Sequence, residues 1–225
     1  MYKTIYSLFL ILIVAQSTKV LAETDARIIF EENNSILDFT VASTGLSEVF
    51  KFMGHPAIEN PENGGHDFAN YCFRDENETT KVTFITGVIH DYSTLYGFRI
   101  SDSKYDKNAR ECYLSDKVNN RIRTKGGLSL YVSRSAIEKI LGGPSKNEGD
   151  VSIWKYEFKE VYKSPKYKSW QAGPTNKKYT QKMTIVGEYH SGQITAVFDL
   201  NRLVSLEVID TPEADFSIQN LYDDN

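Results

Sequence analysis

The chain has 225 residues, of which 40 % are hydrophobic, 25 % charged and 12 % aromatic, and its formal net charge is −4. That balance suits one or two folded domains and excludes a disordered tail, a collagen-like rod and a disulfide-dense miniprotein. An acidic chain also argues against a protein that coats nucleic acid with its whole surface.

The first 22 residues stand apart. Lys3 precedes an apolar block that is unbroken from Leu8 to Ala15, and Val20-Leu21-Ala22 supplies small residues at the cleavage position. Residues 1–22 read as a secretory signal peptide, too short to span a bilayer in its own right. Its two lysines and lack of acids leave the remainder at −6. No later run is long enough for a transmembrane helix, and no Cys follows the signal to take a lipid anchor, so a free periplasmic or secreted protein is expected.

Two segments of the exported part share a pattern. Val49-Phe50-Lys51-Phe52-Met53-Gly54-His55-Pro56 and Ile137-Glu138-Lys139-Ile140-Leu141-Gly142-Gly143-Pro144 both read apolar, x, Lys, apolar, apolar, Gly, x, Pro. Apolar residues at i, i+3 and i+4 put one stripe on a short helix, Gly supplies a left-handed C-cap, and Pro stops further growth. Ser43 or Thr44 is positioned to cap the first helix and Ser133 the second, the first copy being one residue longer at its start. Turn signals follow each, at Asn63-Gly64-Gly65 and at Asn147-Glu148-Gly149-Asp150. Alternating segments come next, around Tyr71-Cys72-Phe73 and Tyr156-Glu157-Phe158, and then Lys81-Val82-Thr83-Phe84-Ile85 and Lys182-Met183-Thr184-Ile185-Val186. Hairpin strands close each copy, at about Val82–His90 with Leu95–Ser101, and Gln193–Asp199 with Leu203–Asp210. The fold expected is α+β: two tandem modules, 23–117 and 118–225, each a short helical element on its own small antiparallel meander.

Cys72 and Cys112 are the only cysteines, both in the exported part. In an oxidising compartment such a pair is most simply one disulfide, and 40 positions of separation lack the CxxC spacing of zinc or thioredoxin chemistry. No metal and no cofactor is expected.

The run Gly126-Gly127-Leu128-Ser129-Leu130-Tyr131-Val132-Ser133, continuing through Ile137 to Pro144, resembles the opening of small secreted bacterial modules. These are the SmpA/OmlA-like outer-membrane assembly lipoproteins and the repeats of β-lactamase inhibitory protein. The resemblance implies a short helix packed on one face of an antiparallel sheet, twice in tandem, in a protein that binds other proteins. The chain departs from it in having Tyr131 where the family opening has Gly, and one cysteine pair instead of one per repeat.

One stretch reverses the overall charge. From Trp154 to Lys182 there are eight lysines against Glu157 and Glu160, interleaved with seven aromatics. Trp154, Tyr156 and Phe158 alternate with charged residues, as in a strand whose apolar face is either core or an uncovered partner surface. Ser164-Pro165 and Ala172-Gly173-Pro174 break any strand, so 163–178 reads as a long hairpin loop inserted into the second module. Tyr162, Lys163, Lys166, Tyr167, Lys168, Trp170, Lys177, Lys178 and Tyr179, together with Trp154 and Tyr156, are the expected partner-binding residues. A protein partner in the cell envelope is expected, an anionic polymer is compatible, and nucleic acid is not expected. From Asp210 onward the tail is acidic.

No GxSxG, SxxK, P-loop, GxGxxG or HExxH pattern occurs. His55 and His190 sit beside turn residues and read as surface positions; His66-Asp67 and His90-Asp91 are sequence neighbours, which strand geometry points apart. The expectation is a non-catalytic, inhibitor-like binding module. The competing readings are an envelope-assembly component, or a periplasmic hydrolase using His66 or His90.

Overall fold

The computed structural model describes residues 26–55, 68–87, 94–105, 112–171 and 180–217; side chains are described at all of these except 68, 69, 87, 159–171, 180–188 and 211–217. The expected signal peptide, the Asn63-Gly64-Gly65 turn, His66 and His90 lie outside the described residues. Helix α1 covers residues 26–33. A two-residue hairpin, β1 (Ser35–Ile36) and β2 (Phe39–Thr40), leads into α2 (Leu46–Phe52). Strands β3 (Phe68–Arg74), β4 (Thr80–Gly87) and β5 (Leu95–Asp102) then form an antiparallel meander, and β6 (Tyr113–Leu114) pairs parallel to β3. Helix α3 (Arg134–Leu141) precedes β7 (Lys146–Glu148), β8 (Val151–Gln171), β9 (Thr180–Asp199) and β10 (Arg202–Ser217).

Eight strands make one sheet in the order β6-β3-β4-β5-β10-β9-β8-β7. The fold is thus α+β on a mostly antiparallel sheet. The expectation of a separate sheet for each half does not hold, because β5 and β10 pair over five residues and join the two meanders. Local patterning marks a strand and its buried face, whereas the neighbour of its free edge is chosen by tertiary packing.

The glycines that end both helices have positive φ, but Gly142, with ψ of −171°, lies outside the left-handed helical region expected of it. Gly54 and Gly142 have φ of 81° and 79°. At α2 the His55 amide donates to Phe50 and the Gly54 amide to Lys51, satisfying the last carbonyls in a Schellman motif. Ser133 Oγ accepts from the Ala136 amide and caps α3. At α2 the expected caps are corrected: Gly45 is the N-cap without a side-chain bond, and Thr44 Oγ1 accepts from the Thr40 amide instead. In the matched stripes Val49, Met53, Ile137 and Leu141 are buried, while Phe52 and Ile140 are 38 % and 37 % exposed.

All the helices cover the same face of the sheet. A rank of apolar side chains crosses that face from Phe84 through Phe98, Val208 and Ile194 to Trp154, each buried against Val49, Phe50, Ile137 and Leu141 in one cluster. Phe30 of α1 extends the cluster over Tyr156 and Phe158, with ring centroids 5.5 and 5.8 Å away. Cys72 and Cys112 form a disulfide, as expected, tying the start of β6 to β3. Closing a loop of 40 residues removes denatured-state entropy worth about 4 kcal/mol.

Connections repeat between the halves. Ala42 and Tyr131 have φ of 65° and 66°, and their amides donate to Leu95 O and Leu203 O at 2.8 and 2.7 Å. The positive φ at Tyr131 is a conformation that glycine adopts without steric cost. The return bonds run from Leu95 to Thr44 and from Leu203 to Val132, so the first half carries one more residue before its helix. Gly45 bridges Thr94 and Ser133 bridges Arg202. Each final strand has a bulge at the same place, with Tyr96 unpaired against β4 and Val204 unpaired against β9. Aligning the halves on these bulges sets Thr83 opposite Thr195, which corrects the register of the sequence match between 81–85 and 182–186. It also matches Phe73 with Trp154, correcting the match of 71–73 with 156–158.

Candidate interaction surfaces

The sheet face turned away from the helices is polar at its centre. Along it the register aligns Thr83, Arg99, Glu207, Thr195 and Ile153 across five strands. Arg99 Nε donates to Glu207 Oε2 at 2.9 Å, an ion pair with side chains 34 % and 20 % exposed. The pairing is symmetric about this ion pair: residues two positions before and after Arg99 pair with those after and before Glu207.

The expected binding residues divide into three groups. Trp154 and Tyr156 are core, 2 % and 6 % exposed, so they are not a partner surface. Trp154 Nε1 donates to Gly142 O at 2.9 Å, fastening β8 to the end of α3. Tyr156 packs beneath Phe30, and burial raises its phenol well above the ordinary range. Tyr162, Lys163, Lys166, Tyr167, Lys168 and Trp170 lie in β8, whose backbone continues paired with β9 as far as Gln171↔Thr180. The expected loop is therefore corrected over 163–171: Ser164-Pro165 falls in an irregularity between Val161 and Lys166, where the ladder resumes with Lys166↔Ile185. A bulge places a proline without sacrificing a central ladder bond. Lys177, Lys178 and Tyr179 lie outside the described residues.

This pairing makes a ribbon. On β10, strand β5 pairs with Ser205–Ile209, so among the described residues the ladder is three strands wide beyond Ile209 and narrows to β8 and β9 past Ser217. From the pair Lys159↔Tyr189 to Gln171↔Thr180 it spans nine residue steps of β9, roughly 30 Å. Tyr167 and Trp170 stand three residues apart in it, hence at positions on opposite faces of the pleat.

His190 is at the base of the ribbon and is buried, contrary to the surface position expected from its neighbouring Ser191-Gly192. Its Nδ1 lies 3.2 Å from Asp210 Oδ1, with both side chains less than a tenth exposed, and its ring stacks on Phe158 at 5.1 Å. Gly192 continues the strand, paired with Asp210 and Tyr156, instead of turning, and Phe30 occupies the space that a side chain there would fill. His55 is at the surface as expected, its Nε2 2.9 Å from Leu114 O at the β6 edge. The opposite edge, Lys146-Asn147-Glu148, is fully polar and exposed, which discourages strand-to-strand association.

A second feature escaped the sequence reading. A cleft of about 770 Å³ lies between the β1–β2 hairpin and residues 119–125, and its lining includes Arg121, Arg123 and Lys125. The signal was present as alternation in Arg121-Ile122-Arg123-Thr124-Lys125, overshadowed by the larger lysine excess downstream. No group of three or more His, Cys, Asp or Glu among the described residues could hold a metal ion. No helix among the described residues is long and apolar enough to cross a membrane.

No protein-family model matches the chain, and no curated protein or solved structure is significantly similar to it.

Proposed function

We propose that this is a non-catalytic binding protein, built from two copies of one helix-and-meander unit over 23–117 and 118–225, that engages a protein partner through the ribbon of its second copy. The carrying observation is an asymmetry of strand length among the described residues: β3 and β4 have 7 and 8 residues there, whereas β8 and β9 have 21 and 20. The shared sheet needs only the shorter length, so the excess is available for recognition. That excess carries the concentrated Lys, Tyr and Trp of the chain, the residue types that supply cations and large contact area at interfaces. The repeated bulges, left-handed Ala42 and Tyr131, and helix-end glycines support the duplication. They also support kinship with the inhibitory-protein and assembly-lipoprotein modules. A disulfide fits export to the periplasm or beyond.

Replacing residues 161–187 with Asn-Gly, which would join the cross-strand pair Glu160↔Glu188 by a two-residue hairpin, removes the ribbon and keeps its base. Partners captured from an envelope extract by the full chain are then purified and titrated against both forms. The shortened form should fold, retain the disulfide and lose binding by at least about tenfold. Equal affinity of both forms would place the interface elsewhere.

A further inference from the structure

The cleft beside the β1–β2 hairpin is separate from the ribbon, since none of its lining residues belongs to β8, β9 or β10. Its floor is the segment 121–125, bridged to neighbouring backbone at Arg123 and Thr124 and flanked by turns at Arg121 and Lys125, with strict alternation of burial. Ile122 and Thr124 are 5 % and 1 % exposed, while Arg121, Arg123 and Lys125 between and beside them are exposed. The alternation of burial puts the three cations on the exposed side of the segment, and residues two apart along a chain are separated by at most about 7 Å.

The segment is held rigidly. Thr124 Oγ1 donates to Asn33 Oδ1 at 2.7 Å and accepts from the Leu128 amide at 3.0 Å, and Thr124 bridges Ile36 across the cleft base. The Lys125 amide donates to Ser35 O at 3.2 Å. These bonds occupy the backbone on both sides, so the cationic side chains are what the segment offers a ligand. None of the three forms an ion pair among the described residues, although acids outnumber bases in the chain. Asp38 is the one acid in the lining.

We infer that this cleft binds an extended acidic peptide segment, with carboxylates at alternate positions that match Arg121, Arg123 and Lys125 in register. Consecutive carboxylates on one face of an extended peptide repeat at about 7 Å, within reach of long cationic side chains two residues apart. A single-stranded nucleic acid has comparable phosphate spacing, but among the described residues no aromatic side chain lines the cleft to stack a base, and stacking is central to single-strand binding.

The test uses the exported form of the full chain at low salt and three fluorescein-labelled probes. These are a peptide with three glutamates at alternate positions separated by serines, a peptide of the same composition with its glutamates consecutive, and a ten-residue oligothymidylate. The alternating peptide should bind tightest, in a salt-dependent manner, and the triple variant Arg121→Gln, Arg123→Gln, Lys125→Gln should weaken it by roughly tenfold or more, as expected for three exposed ion pairs together. A control with the same charge change elsewhere, Lys51→Gln, Lys139→Gln, Lys146→Gln, should leave its affinity within about twofold. Equal weakening by the control, no effect of the triple variant in a folded protein, or equal affinity for the consecutive peptide or the oligothymidylate would each overturn the inference.

Discussion

Replacing Gly192 with Ala tests how the base of the ribbon is anchored. A Cβ at this position in β9 would lie 2.6 Å from two carbons of the Phe30 ring and 2.7 Å from a third, about 1 Å inside normal contact. Phe30 is fully buried and flanked by Tyr156 and Phe158, so its ring has no free rotamer to move into. Overpacking of this kind costs about 1–3 kcal/mol, and the confinement of Phe30 argues for the upper half of that range, offset by a few tenths from the lower backbone entropy of Ala. Gly192→Ala should therefore lose about 2 kcal/mol in urea unfolding with the disulfide intact, equivalent to roughly 4–8 °C in Tm for a chain of this size. Phe30→Leu alone should cost about 1 kcal/mol, and in that background the added Ala should cost less than about 0.5 kcal/mol. Strict additivity of the two changes, or a Gly192→Ala protein as stable as the parent, would refute the claim that Phe30 fills the space above Gly192.

Two further outcomes follow from the turns. Burial alone would raise the Asp75 pKa, but the Thr79 hydroxyl and the Thr80 and Thr79 amides, all donating to its carboxylate within 2.8 Å, hold it below the ordinary value. A depressed folded pKa stabilises above the unfolded value near pH 4 and is lost as pH falls through the folded one. Asp75→Asn should cost about 1 kcal/mol at pH 7, and denaturant curves of the two proteins should converge below pH 4; a gap that stays constant down to pH 2 would contradict this. At the β9–β10 turn Leu200 and Asn201 have φ of 47° and 67°, and Leu200 is 91 % exposed. Leu200→Asn with Asn201→Gly should raise stability by about 1 kcal/mol with no change in urea m-value, because a left-handed Leu carries strain and this one has no contacts to lose. An unchanged or lower midpoint would show that Leu200 is not strained there.

The places where sequence reasoning and structure part company share a cause. Alternation over Trp154–Phe158 shows that one side of the strand is apolar; that α1 and α3 cover that side depends on packing from residues more than a hundred positions away and from nearby Gly142. His190 reads as a turn residue because Ser191-Gly192 follows it, yet that glycine serves to admit the Phe30 ring to the strand. Pro165 reads as a strand breaker, and a bulge in the ladder absorbs it. The three cations of the cleft are visible in order along the chain, but the wall facing them comes from 35–40.

What sequence alone determined about this protein is the set of features governed by a few neighbouring residues: helices ended by Gly54 and Gly142, the Ser133 cap, the hairpin around Leu200-Asn201, and a cysteine pair fit for one bridge. These follow from dihedral preference, local hydrogen bonding and composition, which act over a few bonds. Only the tertiary structure decided that both meanders share a sheet through β5 and β10, and that Trp154 and Tyr156 are interior. The reason is that a strand edge and an apolar face are each satisfied by any suitable neighbour, and the one chosen is whichever buries the most surface when all the elements come together.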